Sequence, residues 1–210
     1  MWIADAERDG ERAAHLAPTV LDDDELTRAA AFRRTEDRLT YLLAHVALRQ
    51  LLAAVTGRSP RKLRLVRDPC PCCGAPHGRP SLDDGSVHFS LSHSSPMVLL
   101  ALSSAPVGVD IERLPQPRTI ADVGRMLHPT EIAELQALDT AASPLAFARV
   151  WTRKEAYLKG LGTGVAGNLS RDYLGTGAYP AHAPAGWSIT DVTAPDGFAA
   201  AVAVRSTPQP

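Results

Sequence analysis

Two short segments limit what this chain can fold into. The first, Val107–Glu112 (VGVDIE), has the apolar run of a buried strand, yet it contains Asp110 and Glu112. The second, Trp151–Lys159 (WTRKEAYLK), has the spacing of an amphipathic helix and carries Glu155 between two lysines. Three carboxylates in apolar surroundings are costly unless a positive charge accompanies them. The sequence therefore predicts a cation site, for which a divalent metal is the best candidate.

The spacing of these acids indicates how they are presented. Asp110 and Glu112 are two residues apart on a strand, so they share a face. Glu155 and Lys159 are four residues apart and stack on one face of the helix. Taken singly, the first pair is more typical of a solvated strand face and the second of a surface ion pair than of a metal site. Taken together, they favour a Mg²⁺ site in which Lys159 and Lys154 neutralise phosphate oxygens.

Periodicity predicts an α/β (α+β) fold with small, mostly antiparallel sheets. Strands are expected at residues 2–7, 63–66, 87–92, 97–102, 107–111, 187–192 and 198–204, and those between 87 and 111 are expected to form a three-strand meander. One helical pattern runs from residue 21 to 55, with Arg33, Arg34, Arg38 and Arg49 on its solvated side, and others begin near 119, 131 and 144. Residues 68–86 are predicted to be loop, because they are rich in proline and glycine.

A weak internal repeat divides the chain into two similar halves. The sequence around Asp5 resembles that around Asp110, and at nearly the same offset Glu25 corresponds to Glu131 and Arg49 to Glu155. We therefore predict an N-terminal half at residues 1–104 and a C-terminal half with the metal-binding acids at 105–210, related by a pseudo-two-fold axis. A site at the seam could use residues from both halves.

Overall charge and composition exclude several classes of protein. The net charge is −1, so no global field attracts nucleic acid or an anionic membrane. No apolar run approaches the roughly 18–20 residues of a membrane-spanning helix, and acids follow the first methionine closely, so no signal peptide is expected. The chain has three cysteines, too few and too clustered for a disulfide framework. These features indicate a cytoplasmic protein.

Two further motifs offer polar side chains. The segment Phe89–Ser94 (FSLSHS) ends a predicted strand, and Ser92 and His93 are either phosphate ligands or residues that cap a turn. The cluster Cys70, Cys72 and Cys73 with His77 offers four potential zinc ligands. Its spacing is cramped for an ordinary structural zinc site, which favours reduced loop cysteines instead.

The segments Phe89–Ser94, Gly108–Glu112 and Trp151–Lys159, in this order and spacing, resemble the three signature motifs of the surfactin-type (Sfp-type) 4′-phosphopantetheinyl transferases. Weaker similarity reaches forward to 77–80 and 35–38. The resemblance implies an enzyme that moves the phosphopantetheine arm of coenzyme A to a serine of an apo acyl or peptidyl carrier protein and releases adenosine 3′,5′-bisphosphate. It also implies Mg²⁺ dependence, and a monomer with coenzyme A bound between two α/β halves.

The resemblance also implies residue roles. The metal ligands would be Asp110, Glu112 and Glu155, with Glu155 also the base for the carrier serine, directly or through water. Phosphate groups of coenzyme A would be met by Ser92, His93, Lys154 and the catalytic Lys159. The nucleotide would be held by Arg79, Arg28 and Arg38, although Thr40 stands where the family usually has a basic residue near Arg38.

Two other functions remain open at the level of sequence. One is a Mg²⁺-dependent nucleotide phosphohydrolase that uses the same acids, and the other is a non-catalytic module that binds carrier proteins. The carrier type is not determined either. For a carrier-binding surface the region Arg125–Ala142 is the candidate, although the helical spacing of Leu127, Ile132, Leu135 and Leu138 is more typical of core.

Overall fold

The computed structural model describes residues 1–164 and 168–206. The elements up to residue 104 are β1 (Trp2–Asp5), α1 (Ala6–Val20), α2 (Asp23–Ala30), α3 (Thr35–Thr56), β2 (Leu65–Arg67), β3 (Pro80–Leu82), β4 (His88–Ser94) and β5 (Met97–Ser103). Those that follow are β6 (Val107–Arg113), α4 (Pro117–Val123), α5 (Pro129–Ala137), α6 (Ser143–Leu161), β7 (Trp187–Val192) and β8 (Phe198–Arg205). Short 3₁₀ turns follow α3 and α4.

Two three-stranded antiparallel sheets dominate the described residues. Their strand orders are β1-β5-β4 and β6-β8-β7, so in each half the last strand lies in the centre. The predicted three-strand meander is therefore wrong, because β6 pairs with β8 across the chain rather than with β5. The turn at 104–106 leads from one sheet to the other, at the predicted boundary between the halves. The strand order repeats, whereas the pseudo-two-fold axis stays a prediction.

Three local assignments also differ from the sequence interpretation. The single predicted helix over 21–55 is two helices, α2 and α3, separated by residues 31–34. The predicted loop over 68–86 contains β3, whose first residue is Pro80 and which pairs with β2. A proline is tolerated at the start of a strand, where its missing N–H breaks no interior ladder bond. Helix α1 was not predicted at all.

Helix α3 is the centre of the first half. It has 22 residues, and an 18-residue window within it has a mean hydropathy of 1.4, so by length and composition it could cross a membrane, contrary to the expectation from the sequence. In the structure its apolar residues belong to the protein core, because Leu42, Ala44 and Leu52 are buried in a core shared with α1 and β5. Gly57 ends the helix in the left-handed conformation, as its position predicted.

The second half is built around close contact between α6 and β6. A Cβ atom on Gly108 of β6 would overlap the carbonyl oxygen of Ala156 and the amide nitrogen of Gly160, both on α6. Glycine at 108 thus lets the helix backbone lie directly on the strand. This close approach brings the face of α6 that carries Glu155 and Lys159 against the strand that carries Asp110.

Replacing Gly108 with alanine should therefore disrupt the second half. Overpacking a close backbone contact usually costs about 1–3 kcal/mol, and here no flexible side chain can move aside. We expect the melting temperature to fall by several degrees, measured by circular dichroism. The matched control is Gly177→Ala, because a Cβ there meets nothing closer than 4.0 Å. Equal melting temperatures for the two variants would contradict this explanation.

The two sheets meet at β4 and β6, which are joined through side chains. Ser90, Ser92 and Ser94 lie on one face of β4 because they alternate along the strand. Ser90 Oγ accepts from the amide of Val109 at 3.0 Å, and Ser94 Oγ accepts from the amide of Arg113 at 3.2 Å. The serines of the FSLSHS motif therefore hold the seam together.

Candidate functional site

The three predicted metal-binding acids lie in one cleft beside this seam. Asp110 and Glu112 extend from the same face of β6, and Glu155 faces them from α6. Asp110 is almost fully buried, whereas Glu112 and Glu155 are half-buried. The cleft has a volume of about 430 Å³ and is lined by Leu91, Ser92, His93, Asp110, Glu112, Trp151, Glu155 and Lys159.

Lys159, Asp110 and Ser92 form a closed hydrogen-bonded triangle. Lys159 Nζ donates to Asp110 Oδ1 at 2.6 Å and to Ser92 Oγ at 2.9 Å. Ser92 Oγ donates to the same Asp110 oxygen at 2.8 Å. The other oxygen, Asp110 Oδ2, is buried and has no hydrogen-bond partner among the described residues. A buried carboxylate oxygen normally has a partner, so this one is available for a ligand.

Burial and the charge of Asp110 both disfavour the ionised forms of the two glutamates. Burial raises the pKa of Glu112, and the negative charge of Asp110 raises it further. Burial likewise raises the pKa of Glu155, again followed by the charge of Asp110, while Lys159 acts in the opposite direction. One lysine is therefore insufficient for three carboxylates, and an additional cation would be stabilised here.

His93, near the end of β4, lines the same cleft. Partial loss of water lowers its pKa, and the nearby positive charges of His45 and Lys159 lower it further. The imidazole is therefore neutral near pH 7, and it offers one donor and one acceptor nitrogen.

A second cavity adjoins the first. It has a volume of about 560 Å³, and Leu91 and Lys159 line both cavities. Four arginines line the second cavity, Arg28, Arg49, Arg67 and Arg79, and they outnumber its three acids, Asp22, Asp24 and Glu25. The cleft as a whole is acidic at one end and basic at the other, and Lys159 stands where the ends meet.

Two of the predicted nucleotide-binding arginines line the basic end. Arg28 is exposed on α2 and makes no ion pair with any described residue. Arg79 is held in place, since its Nε donates to Asp68 at 2.9 Å and one terminal nitrogen donates to the carbonyl of Gly160 at 3.2 Å. Arg67, on β2, was missed by the sequence interpretation, because nothing in its local pattern relates it to the seam.

A buried polar cluster at the basic end was also missed. Arg49 is fully buried, contrary to the prediction that it lies on the solvated side of its helix. It pairs with Glu25 at 2.6 Å and with Asp22. His45 contacts the other oxygen of Glu25 at 3.1 Å and stacks on Tyr41 with ring centroids 4.1 Å apart.

The structure places two predicted residues away from both cavities. Lys154 is buried on another face of α6, where it pairs with Glu131 at 3.0 Å and donates to the carbonyl of Leu169 at 2.7 Å. A residue next to Glu155 on a helix points about 100° away, so adjacency in sequence did not mean a shared site. Arg38 is exposed on α3 and lines neither cavity.

Arg49 is equivalent in its structural role to Lys154, and not to Glu155 as the sequence offset predicted. Glu25 and Glu131 are each the third residue of a short helix whose start is closed by a capping box. Each glutamate is buried and paired with a basic residue of the long helix in its own half, Arg49 or Lys154. The sequence correspondence of Glu25 with Glu131 therefore reflects a repeated buried ion pair.

Comparisons with known proteins relate the chain to one family. Residues 106–178 match the 4′-phosphopantetheinyl transferase superfamily. The 4′-phosphopantetheinyl transferase HetI of Nostoc sp. is 30% identical over 213 residues, which cover 97% of this chain and 86% of HetI. The Synechocystis sp. protein slr0495 is 31% identical over 157 residues (72% of this chain, 61% of that protein), and the transferase Sfp of Bacillus subtilis is 29% identical over 135 residues (64% and 57%). The latter two matches thus span about three fifths of the relatives' length.

Proposed function

The chain belongs to the 4′-phosphopantetheinyl transferase family, and we propose that it transfers the phosphopantetheine arm of coenzyme A to a serine hydroxyl of an apo carrier protein. The observation that carries this proposal is the cleft with an acidic and a basic end that meet at Lys159. Coenzyme A matches this arrangement, because a pyrophosphate links its phosphopantetheine arm to a phosphorylated nucleotide. The pyrophosphate would lie at Lys159 and the nucleotide at the basic end. We also propose that the protein acts in the cytoplasm.

The acidic end fits Mg²⁺, and three observations support the assignment. Asp110 Oδ2 is buried without a partner among the described residues, and the pKa values of Glu112 and Glu155 are both raised. All donors are oxygens, the type that Mg²⁺ prefers. Asp110, Glu112 and Glu155 would hold the ion. When bound, it would supply positive charge that neutralises pyrophosphate oxygens.

Lys159 would bind the pyrophosphate from the side opposite the metal ion. Its ammonium lies at the junction of the two cavities, where the bond to be broken would be placed. There it can stabilise the negative charge that develops on the departing adenosine 3′,5′-bisphosphate. Neutral His93 would donate to an oxygen of the phosphate that is transferred. Ser92 would instead position Asp110 and Lys159, because its one hydroxyl hydrogen is bonded to Asp110.

Glu155 is the proposed base. Its carboxylate is half-buried in the cleft, next to Lys159. Its raised pKa describes the metal-free cleft, and a bound Mg²⁺ would lower that pKa, which favours proton transfer through water. As the serine oxygen forms its bond to phosphorus, Glu155 takes the serine proton, directly or through a water molecule. The bond from phosphorus to the bridging oxygen breaks, and the electron pair leaves with the nucleotide. Atoms and charge balance without any further reactant.

The basic end would hold the nucleotide. Arg28 and Arg67 are exposed on its wall and can pair with the 3′-phosphate. The hydroxyl of Tyr41 is buried without a partner among the described residues and can bond to the ligand. The arrangement Asp22–Arg49–Glu25–His45 stabilises this wall rather than binding phosphate, because its arginine is already neutralised.

Mass measurement of the carrier tests the function directly. The protein is incubated with coenzyme A, Mg²⁺ and an apo carrier protein, and the carrier is then weighed. A gain of one phosphopantetheine is the expected result. Nucleotide hydrolysis without carrier labelling would instead indicate a phosphohydrolase, and tight carrier binding without any reaction would indicate a non-catalytic module.

We propose that the carrier docks on the region around α5. Within Arg125–Ala142, Leu127 and Leu135 are buried and Ile132 packs against them, as the core interpretation predicted. Met126 and Leu138 are exposed instead, and so is Arg125. An apolar surface with a basic residue suits an acidic helical carrier.

Charge reversal at Arg125 should weaken carrier use selectively. For Arg125→Glu we expect kcat/KM for the carrier to fall about fivefold or more, the effect of losing a contact worth about 1 kcal/mol. The KM for coenzyme A should not change, because Arg125 lines neither cavity. The control is Arg12→Glu, an exposed charge on α1. Equal effects of the two reversals would place the carrier elsewhere.

A further inference from the structure

The loop that follows β2 contains a cluster of thiol and imidazole groups at the edge of the basic end, and the proposed transfer does not use it. The sulfur atoms of Cys70 and Cys73 and an imidazole nitrogen of His77 all lie within 4.8 Å of one another. Cys73 Sγ and His77 Nε2 are 3.1 Å apart. Cys72 is exposed and does not belong to this group. Of the four ligands that the sequence offered, the fold thus selects three.

The loop backbone holds these donors in a hydrogen-bonded turn. The amide of Gly74 donates to the carbonyl of Cys70 at 2.7 Å, and the amide of Cys70 donates to the carbonyl of Ala75 at 2.8 Å. Gly74 has φ of +76°, a conformation that favours glycine. The chain therefore reverses directly after Cys73 and returns His77 to the two sulfurs.

The chemistry of the three donors selects the metal. Two thiolates at C-x₂-C spacing with one imidazole suit Zn²⁺, whereas Mg²⁺ prefers oxygen. Tetrahedral ligands around zinc are roughly 3.5–3.8 Å apart, given Zn–S and Zn–N bonds of about 2.3 and 2.1 Å. In this loop the three donor atoms lie within 4.8 Å of one another and Cys73 Sγ is 3.1 Å from His77 Nε2, so small side-chain movements bring them to that spacing. We propose that Cys70, Cys73 and His77 bind a zinc ion, with water in the fourth position.

The location of the cluster indicates what the zinc would do. The loop continues through Gly78, whose amide donates to the carbonyl of Asp68 at 2.9 Å, into Arg79, whose side chain pairs with Asp68. His77, Gly78 and Arg79 all line the basic end of the cleft. Zinc would therefore fix the segment that presents Arg79. This part of the inference rests on the proposed function.

Metal analysis of the purified full-length chain, produced with zinc in the medium, tests the site. We expect about one zinc ion per chain in the wild type and in the control Cys72→Ser, and loss of stoichiometric zinc in Cys73→Ser and His77→Ala. Cys73 is exposed, so its replacement leaves the fold intact, which circular dichroism can verify. Cobalt substitution provides a second readout, because thiolate-bound cobalt absorbs visible light.

Several outcomes would overturn the proposal. Wild-type protein without stoichiometric zinc excludes the site, and a Cys70–Cys73 disulfide in that protein would replace it with a redox pair. Loss of zinc in Cys72→Ser overturns the three-residue ligand set. These results do not depend on transferase activity, so they can be separated from failure of the proposed function.

Kinetics test the role assigned to the metal. In Cys73→Ser we expect the KM for coenzyme A to rise about tenfold while the KM for the carrier stays unchanged, as for loss of a group that orients a binding residue. The Cys72→Ser variant should retain wild-type values. A zinc-free variant with an unchanged KM for coenzyme A would overturn the proposal that zinc fixes the segment that presents Arg79.

Discussion

The variants Glu155→Gln and Asp110→Asn will each lose transferase activity while keeping the fold. Removal of a general base usually costs about 10²–10⁴-fold, and removal of a ligand for the neutralising cation costs a similar factor. We therefore expect kcat/KM to fall by about 10²–10⁴-fold in each variant. The measurement is the rate of carrier mass gain at saturating Mg²⁺. Near-normal turnover of either variant would contradict the assignment of the acidic end.

The melting temperature of Glu155→Gln distinguishes a catalytic role from a structural one. A carboxyl whose pKa is raised by folding destabilises the folded state at pH values above that pKa. Removing the charge of Glu155 should therefore leave the metal-free protein equally stable or more stable at pH 7. The matched control is Glu11→Gln, an exposed residue of α1, which should change neither activity nor stability. A large loss of stability in Glu155→Gln would indicate that the charge supports the fold.

The same raised pKa values imply a pH dependence of metal binding. Mg²⁺ added to the wild type should raise its melting temperature, because a ligand that binds only the folded state stabilises it. Protons compete for Glu112 and Glu155, and their raised pKa values bring this competition above the ordinary value of 4.5. The Mg²⁺-induced increase should therefore shrink as the pH falls towards that value. An increase that stays constant over this range would contradict metal binding by these glutamates.

Sequence periodicity was sufficient to predict the acidic end of the cleft. Alternation along a strand placed Asp110 and Glu112 on one face, and helical spacing placed Glu155 with Lys159. What periodicity could not show is the distance between strand and helix. That distance depends on Gly108, because a side chain there would overlap the backbone of α6. Glycine in a strand is a signal for such close approach, and here the signal was available.

Helix α1 shows a different limit. Its buried residues are Ala6, Gly10, Ala13, Ala17 and Val20. Their spacing alternates between four and three, which is the pattern of a helical face. The residues are small, however, so the segment lacks the large apolar side chains by which a buried face is usually recognised. The signal was present in the spacing, and it was missed because Pro18 and several charges mask it.

The buried ion pairs of the basic end could not be predicted from local sequence, because they join residues that are distant in the chain. Arg49 occupies a polar position on α3, and local periodicity assigns such a position to solvent. Its partners Asp22 and Glu25 belong to α2, and no pattern within α3 identifies them. The one indication was the correspondence of Glu25 with Glu131, which relates the two halves but does not specify burial.

Replacement of Arg49 by methionine should have the largest effect on stability. Its guanidinium is fully buried, pairs with Asp22 and Glu25, and donates to the carbonyls of Pro60 and Leu63. Removing one member of a buried ion pair typically costs about 3–5 kcal/mol, because the remaining charge stays buried without compensation. We expect that loss in the free energy of urea unfolding.

Two comparisons separate this effect from a general sensitivity of α3. Arg38→Met replaces an exposed arginine of the same helix and should change stability by no more than about 0.5 kcal/mol. Arg49→Met combined with Glu25→Gln should recover part of the loss, since the uncompensated carboxylate is then absent.

The dependence of stability on acid pH gives a third measurement. Burial raises the pKa of Glu25, but His45 and Arg49 outweigh burial and hold it below its ordinary value. The stabilisation is therefore present above pH 4.5 and is lost as the pH falls through the lower folded pKa, and this loss should be smaller in Arg49→Met. A double variant as unstable as the single one would show that packing around Arg49, rather than its charge, stabilises the basic end.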